Sequence, residues 1–169
     1  MHSFTSTAAA FAAIAALPAV YAHGYVSQVV SGGETYAGAS PEWYYQTTKP
    51  QQAGWFAYNQ DNGYVAPTEY TDPNMTCHKG ATPGTTSIPV TAGSTIDIYW
   101  NTWPDSHHGP VINYLARCNN GDCTKVDKNN LSFFKVNASG LLDDATAPGT
   151  WATDVLIANN FTYSLKVSS

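Results

Sequence analysis

The residues best suited to chemistry in this sequence are histidines. "VYAHGYV" (residues 20–26) sets His23 directly behind an apolar, alanine-rich leader, and "WPDSHHGPVINYLA" (residues 103–116) sets His107 and His108 just ahead of a strand-like run. Residues 1–22 carry an apolar stretch from Ala8 to Val20, too short to span a bilayer, and end in Val20-Tyr21-Ala22. That is the layout of a secretory signal peptide, so the mature chain is expected to be extracellular and to begin at His23. Cleavage would turn the His23 nitrogen from an amide into a free amine. The amine and a ring nitrogen could then chelate one metal ion in a small ring, with a third nitrogen from His107 or His108. Three neutral nitrogens in a planar, T-like arrangement suit copper better than zinc, which prefers a tetrahedron. One copper ion is therefore the expected cofactor.

Other constellations carry less. His78 follows Cys77 in "TCHKG", but one Cys-His pair lacks further ligands and reads as structural. Asp105, Ser106 and His107 are triad residue types, yet triad members converge in space rather than in sequence, and no G-x-S-x-G is present. Asp143 and Asp144 are adjacent on a loop and would point apart, so a glycosidase pair built on either needs a partner that the sequence does not identify. Seven basic residues against 12 acidic ones form no basic stripe, which argues against nucleic acid. No second apolar span follows the leader, so no membrane partner is expected. Low charge with 5 Trp, 11 Tyr and 6 Phe suits a flat neutral ligand such as carbohydrate, although most of these rings are expected in the core.

The elements that must position these residues are strands. "STIDIYW" alternates Ile96, Ile98 and Trp100 against Thr95, Asp97 and Tyr99, the period of a half-buried strand. "GYVSQVV", "PVINYLA", "LSFFKV" and "NFTYSLKV" read similarly, the last alternating Phe161, Tyr163, Leu165 and Val167 against Thr162, Ser164 and Lys166. Five or six short strands punctuated by Gly, Pro, Asn and Asp predict an all-β, antiparallel β-sandwich. Helical periodicity is sparse. Ser31 to Met75 is rich in Gly, Pro, Gln and Tyr and shows neither period, so it reads as a long decorated loop region, usually functional at that length. Three cysteines leave one without a partner. Cys118 and Cys123 flank the turn-forming "NNGD" and are the expected disulfide, leaving Cys77 over. Sequons at Asn74, Asn130, Asn137 and Asn160 are glycosylation candidates for a secreted chain. The last alternating strand stops two residues before the end of the sequence, which would leave an unpaired edge.

Four blocks, "HGYV" behind the leader, "DNGYVAPTEYTDPNMTCHKGATPG", "WNTWPDSHHGPVINYLARCNNGDC" and "FFKVNASGLLDDATAPGTWATDVLIANNF", together resemble the fungal lytic polysaccharide monooxygenases that act on cellulose, auxiliary activity family 9. The resemblance spans residues 23–169. It implies an immunoglobulin-like sandwich and a histidine brace of His23 and His107, the latter opening an H-x-G-P motif with Gly109 and Pro110. It also implies one copper ion, O₂ or H₂O₂ as co-substrate, an external electron donor, and oxidation at C1 and/or C4 of β-1,4-glucan chains by a monomer. Trp43, Tyr44 and Tyr45 fall in the loop whose aromatics stack on sugar rings. Family members continue through a further histidine, a glutamine, an axial tyrosine and a cysteine that pairs with the one matching Cys77. Against that pattern the sequence is expected to be the N-terminal part of the domain, truncated before its last strands. The alternative function is an inactive form acting at most as a copper- or glucan-binding module.

Overall fold

The computed structural model describes residues 24–58 and 64–168. The leader and His23 lie outside the described residues. The expected all-β, antiparallel architecture is present. One sheet runs in the order β2-β1-β3-β8, built from β1 (Val26–Ser31), β2 (Glu34–Ala37), β3 (Thr95–Trp100) and β8 (Thr162–Lys166). A second pairs β4 (Val111–Ala116) with β5 (Phe133–Ser139), and a third pairs β6 (Leu141–Asp143) with β7 (Thr150–Trp151). The Tyr163 hydroxyl on β8 donates to Asn137 Oδ1 on β5 at 2.7 Å, which links the first sheet to the second.

No alternation in the sequence marks β6 or β7, and two further elements differ from expectation. Ser31–Met75 contains β2, because Gly32 and Gly33 both take positive φ (60° and 86°) and close a two-residue hairpin that returns Glu34 opposite Ser31. The same region then folds into short 3₁₀ turns at Pro41–Tyr45, Pro67–Glu69 and Pro73–Met75, each begun by a proline whose fixed φ suits a first helical position. The second difference is α1 (Ala152–Ala158), a helix of two turns whose Ala152, Thr153 and Leu156 are buried.

The alternation read for β8 holds: Leu165 is buried while Ser164 and Lys166 are exposed. In β3 it is blurred, since every residue from Ile96 to Trp100 is half-buried. β3 is a central strand, paired with β1 on one side and β8 on the other. Among the described residues, full burial falls on the apolar side chains of Phe56, Ala57, Ala81, Val126, Ala152, Leu156 and Leu165 and on the polar ones of Ser31, Gln52 and Thr153. Ile112, Tyr114 and Leu115 of β4 and Phe133 and Phe134 of β5 are exposed. An open groove of about 740 Å³ runs between α1 and β8, lined in part by Leu142, Val155, Leu156 and Tyr163.

Candidate functional site

The loop from Asn101 to Pro110 joins β3 to β4 and carries both adjacent histidines. Three backbone contacts fix His107. Its amide donates to Pro104 O at 3.0 Å, and its carbonyl accepts from Trp103 Nε1 at 3.0 Å and from the Thr153 hydroxyl at 3.2 Å. Trp103 in turn packs edge-to-face on Trp100 of β3, with ring centroids 5.1 Å apart. The backbone of His107 is thus tied to a strand on one side and to a helix on the other, while its side chain is exposed.

Within that frame the His107 Nδ1 lies 3.2 Å from Ser106 Oγ. In the tautomer in which Nδ1–H donates to the hydroxyl, the ring's lone pair sits on Nε2, the nitrogen then available to ligate a metal. His108 behaves differently. Its Nδ1 lies 2.8 Å from Asp154 Oδ1 on α1, so the two adjacent imidazoles take different partners, a hydroxyl of their own loop for His107 and a carboxylate of the helix for His108. Asp154 also accepts from the Trp151 amide through Oδ2 at 2.7 Å. That amide above all holds the Asp154 carboxyl below the usual carboxylate range; desolvation opposes it, and the His108 bond and charge add smaller lowering effects.

The start of the described chain is docked on the same loop. Tyr25 N donates to Asn101 Oδ1 at 2.8 Å, and Asn101 N donates to Tyr25 O at 3.0 Å. Gly24 lies so close to Thr102 that a Cβ placed on it would overlap the Thr102 carbonyl oxygen. The residue that follows His23 is therefore held against the root of the loop that carries His107. Sequence reasoning singled out neither Asn101 nor Gly24 here, nor Thr153 and Asp154, because these contacts span 76, 46 and 44 positions.

The His107 imidazole is one nitrogen donor of the kind copper takes. Among the described residues no group of three or more His, Cys, Asp or Glu could hold a metal, so an ion at His107 would draw its other donors from outside them. His78 and Cys77 do not join the site; both take positive φ (76° and 55°) in a turn where Lys128 Nζ reaches His78 O at 3.4 Å. Cys77 is exposed and unpaired. Desolvation pushes its thiol up to about 11 against the opposing charge of Lys128, and the residue's own exposure to water limits how far that effect reaches. Cys118 and Cys123 form the expected disulfide.

The three loop aromatics form one edge-to-face cluster, Trp43–Tyr44 at 5.9 Å and Tyr44–Tyr45 at 5.4 Å between ring centroids, but differ in exposure. Trp43 is half-buried and rests on the fully buried Phe56, centroids 5.2 Å apart, with Tyr58 at 5.5 Å. Tyr44 and Tyr45 are open, Tyr45 at 78% exposure. Of the sequons, Asn130, Asn137 and Asn160 are exposed and Asn74 is half-buried, its Oδ1 accepting from Gly80 N at 3.3 Å.

Comparison with known proteins adds a family. The model of Auxiliary Activity family 9 (formerly GH61) matches residues 23–169. The AA9 family lytic polysaccharide monooxygenase A of Talaromyces verruculosus is 51% identical over 164 residues, covering 96% of this chain and 50% of that protein. The extended catalytic domain of H. jecorina LPMO9A, also called EG4, superposes with a TM-score of 0.80 at 44% identity, covering 86% of this chain and 58% of that one. A cellulose-active polysaccharide monooxygenase from M. thermophila superposes with a TM-score of 0.68 at 25% identity, covering 86% and 62%. The chain spans about half the length of the Talaromyces relative.

Proposed function

The chain belongs to Auxiliary Activity family 9, and from that premise we propose that it is a secreted, copper-dependent lytic polysaccharide monooxygenase that cleaves cellulose oxidatively at C1 and/or C4 of its β-1,4-glucan chains. The observation that carries the proposal is the docking of Gly24 and Tyr25 on Asn101 and Thr102. It brings the residue after His23 to the loop that presents His107. His23 and His107 would hold the ion. Copper so bound supplies one-electron chemistry with O₂ or H₂O₂, drawing on an external reductant.

The rest falls to the protein. Pro104, Trp103 and Thr153 hold the His107 backbone, and Ser106 Oγ meets its Nδ1. Tyr44 and Tyr45 present open rings on which sugar faces can stack, whereas Trp43 serves mainly to seat that turn on Phe56. A cellulose substrate is in keeping with the M. thermophila neighbour, which is described as cellulose-active. The test uses protein whose first residue is confirmed by mass spectrometry as His23. With one equivalent of Cu(II), reductant and peroxide, it should release oxidised oligosaccharides from amorphous cellulose, and their absence would remove the activity.

A second function, a copper- or glucan-binding module without turnover, is favoured by the apolar side chains left open on β4 and β5. The His107 loop runs directly into β4, and a two-stranded ribbon is stiff only when its faces are covered. Cu(II) bound with an axial electron paramagnetic resonance spectrum, but without product, would select the module.

A further inference from the structure

We propose that Thr153 and Asp154, at the start of α1, are positioning residues that set the direction of the His107 imidazole by gripping its loop on both sides. The inference rests on the copper role assigned to His107 above. Thr153 makes three bonds to a segment of three residues. Its hydroxyl donates to His107 O at 3.2 Å and accepts from Gly109 N at 2.9 Å, and its own amide donates to Gly109 O at 3.2 Å. The hydroxyl thus acts as donor and acceptor at once, at a residue only 3% exposed, where water has little access to replace either bond.

Asp154 extends the grip by one side chain. Its Oδ1 meets His108 Nδ1 at 2.8 Å while its Oδ2 is tied to the Trp151 amide at 2.7 Å, so the carboxylate is held at two points and cannot swing. The pair draws His108 onto α1. Because neighbouring side chains share one backbone, fixing His108 and the peptides on either side of it leaves His107 only its own χ1 and χ2. Ser106 Oγ restrains those in turn. The helix therefore acts together with Ser106 in setting where the His107 imidazole points, and the ring it holds directly is that of His108.

The test compares Thr153→Val, which keeps the shape and removes the hydroxyl, with Thr153→Ser, which keeps the hydroxyl, and with Asp154→Asn. In metal-free protein, nuclear magnetic resonance follows the His107 ring signals and hydrogen exchange of the Gly109 amide; calorimetry then measures Cu(II) affinity. Thr153→Val should broaden or shift the His107 ring signals, speed Gly109 exchange by about tenfold, and weaken copper binding by about 10- to 100-fold. Thr153→Ser should restore all three to near wild type. Unchanged ring signals and copper affinity in Thr153→Val, with only the melting temperature lowered, would overturn the proposal. If Thr153→Val does not fold, Asp154→Asn decides: a shifted His107 ring supports the proposal and an unchanged one overturns it. Wild-type protein that takes up no Cu(II) would defeat the copper role itself, while the metal-free ring signals of the variants would still decide the positioning.

Discussion

Gly24→Ala places a methyl group where the structure has no room for one. The added Cβ would overlap the Thr102 carbonyl oxygen, with the carbonyl carbon at 3.0 Å and Asn101 Oδ1 at 3.3 Å. The obstacle is backbone leaving β3, not the movable tip of a side chain, so the segment at Gly24 must lift by roughly 1 Å to relieve it. Lifting strains the reciprocal bonds between Tyr25 and Asn101, at 2.8 and 3.0 Å, and the combined overpacking costs about 1–3 kcal/mol. For a domain of this size that lowers the melting temperature by about 2–4 °C per kcal/mol. The effect on metal should be larger in proportion, because His23 is the next residue and a misplacement of about 1 Å can cost about 10²-fold. Calorimetric titration of Cu(II) into protein beginning at His23 should therefore show affinity reduced by about 10- to 100-fold. Asn101→Ala, which removes the acceptor without adding bulk, should move affinity in the same direction by less. If Gly24→Ala binds copper as wild type does and melts at the same temperature, the mature start is not held against Thr102, and the proposed convergence of His23 on His107 loses its support.

Three further outcomes follow from the same contacts. Asp154 has its folded pKa depressed, so its contribution to stability is present above the ordinary carboxylate range and is lost as pH falls through the folded value; the melting difference between wild type and Asp154→Asn should shrink from pH 7 towards pH 3, and a constant difference would count against it. The Cys77 thiol, pushed up to about 11, should alkylate with iodoacetamide more slowly than a free thiol at pH 8 and gain rate as pH rises towards that value; a rate at pH 8 equal to that of free cysteine would contradict the shift. Gly109 has nothing within 4 Å of where a Cβ would sit and no positive φ, so Gly109→Ala should raise stability by about 0.4–1 kcal/mol. A lowered melting temperature would mean that the local backbone does require glycine there.

What the sequence made legible was whatever local periodicity or local closure could carry. The alternation in "NFTYSLKV" became β8, with Leu165 buried between exposed Ser164 and Lys166. The turn "NNGD" between Cys118 and Cys123 closed the disulfide, because a short loop brings its ends together with little help from the rest of the chain. The hairpin before β2 was also readable, since Gly32-Gly33 is a two-residue turn signal; it was hidden by the composition of the region that follows. α1 left a fainter trace. Two turns give one i,i+4 pair, Ala152 and Leu156, and a single pair cannot separate a helix from chance.

Period and composition do not reach the contacts that matter most for the site. His107 and His108 are adjacent and chemically identical, so spacing alone leaves either as the third nitrogen. They are distinguished by Asp154, which bonds the His108 ring, and by Ser106, which meets the His107 ring, with Trp103 and Thr153 on the His107 carbonyl. All but the local contacts are tertiary, made by a helix more than forty positions away. The same holds for Gly24. In sequence it is one small residue; in the fold it allows the chain to lie against the Thr102 carbonyl just past β3, at the root of the loop that carries His107. A residue's type can name the chemistry available to it, but which of two equal candidates performs it is fixed by whatever packs behind them.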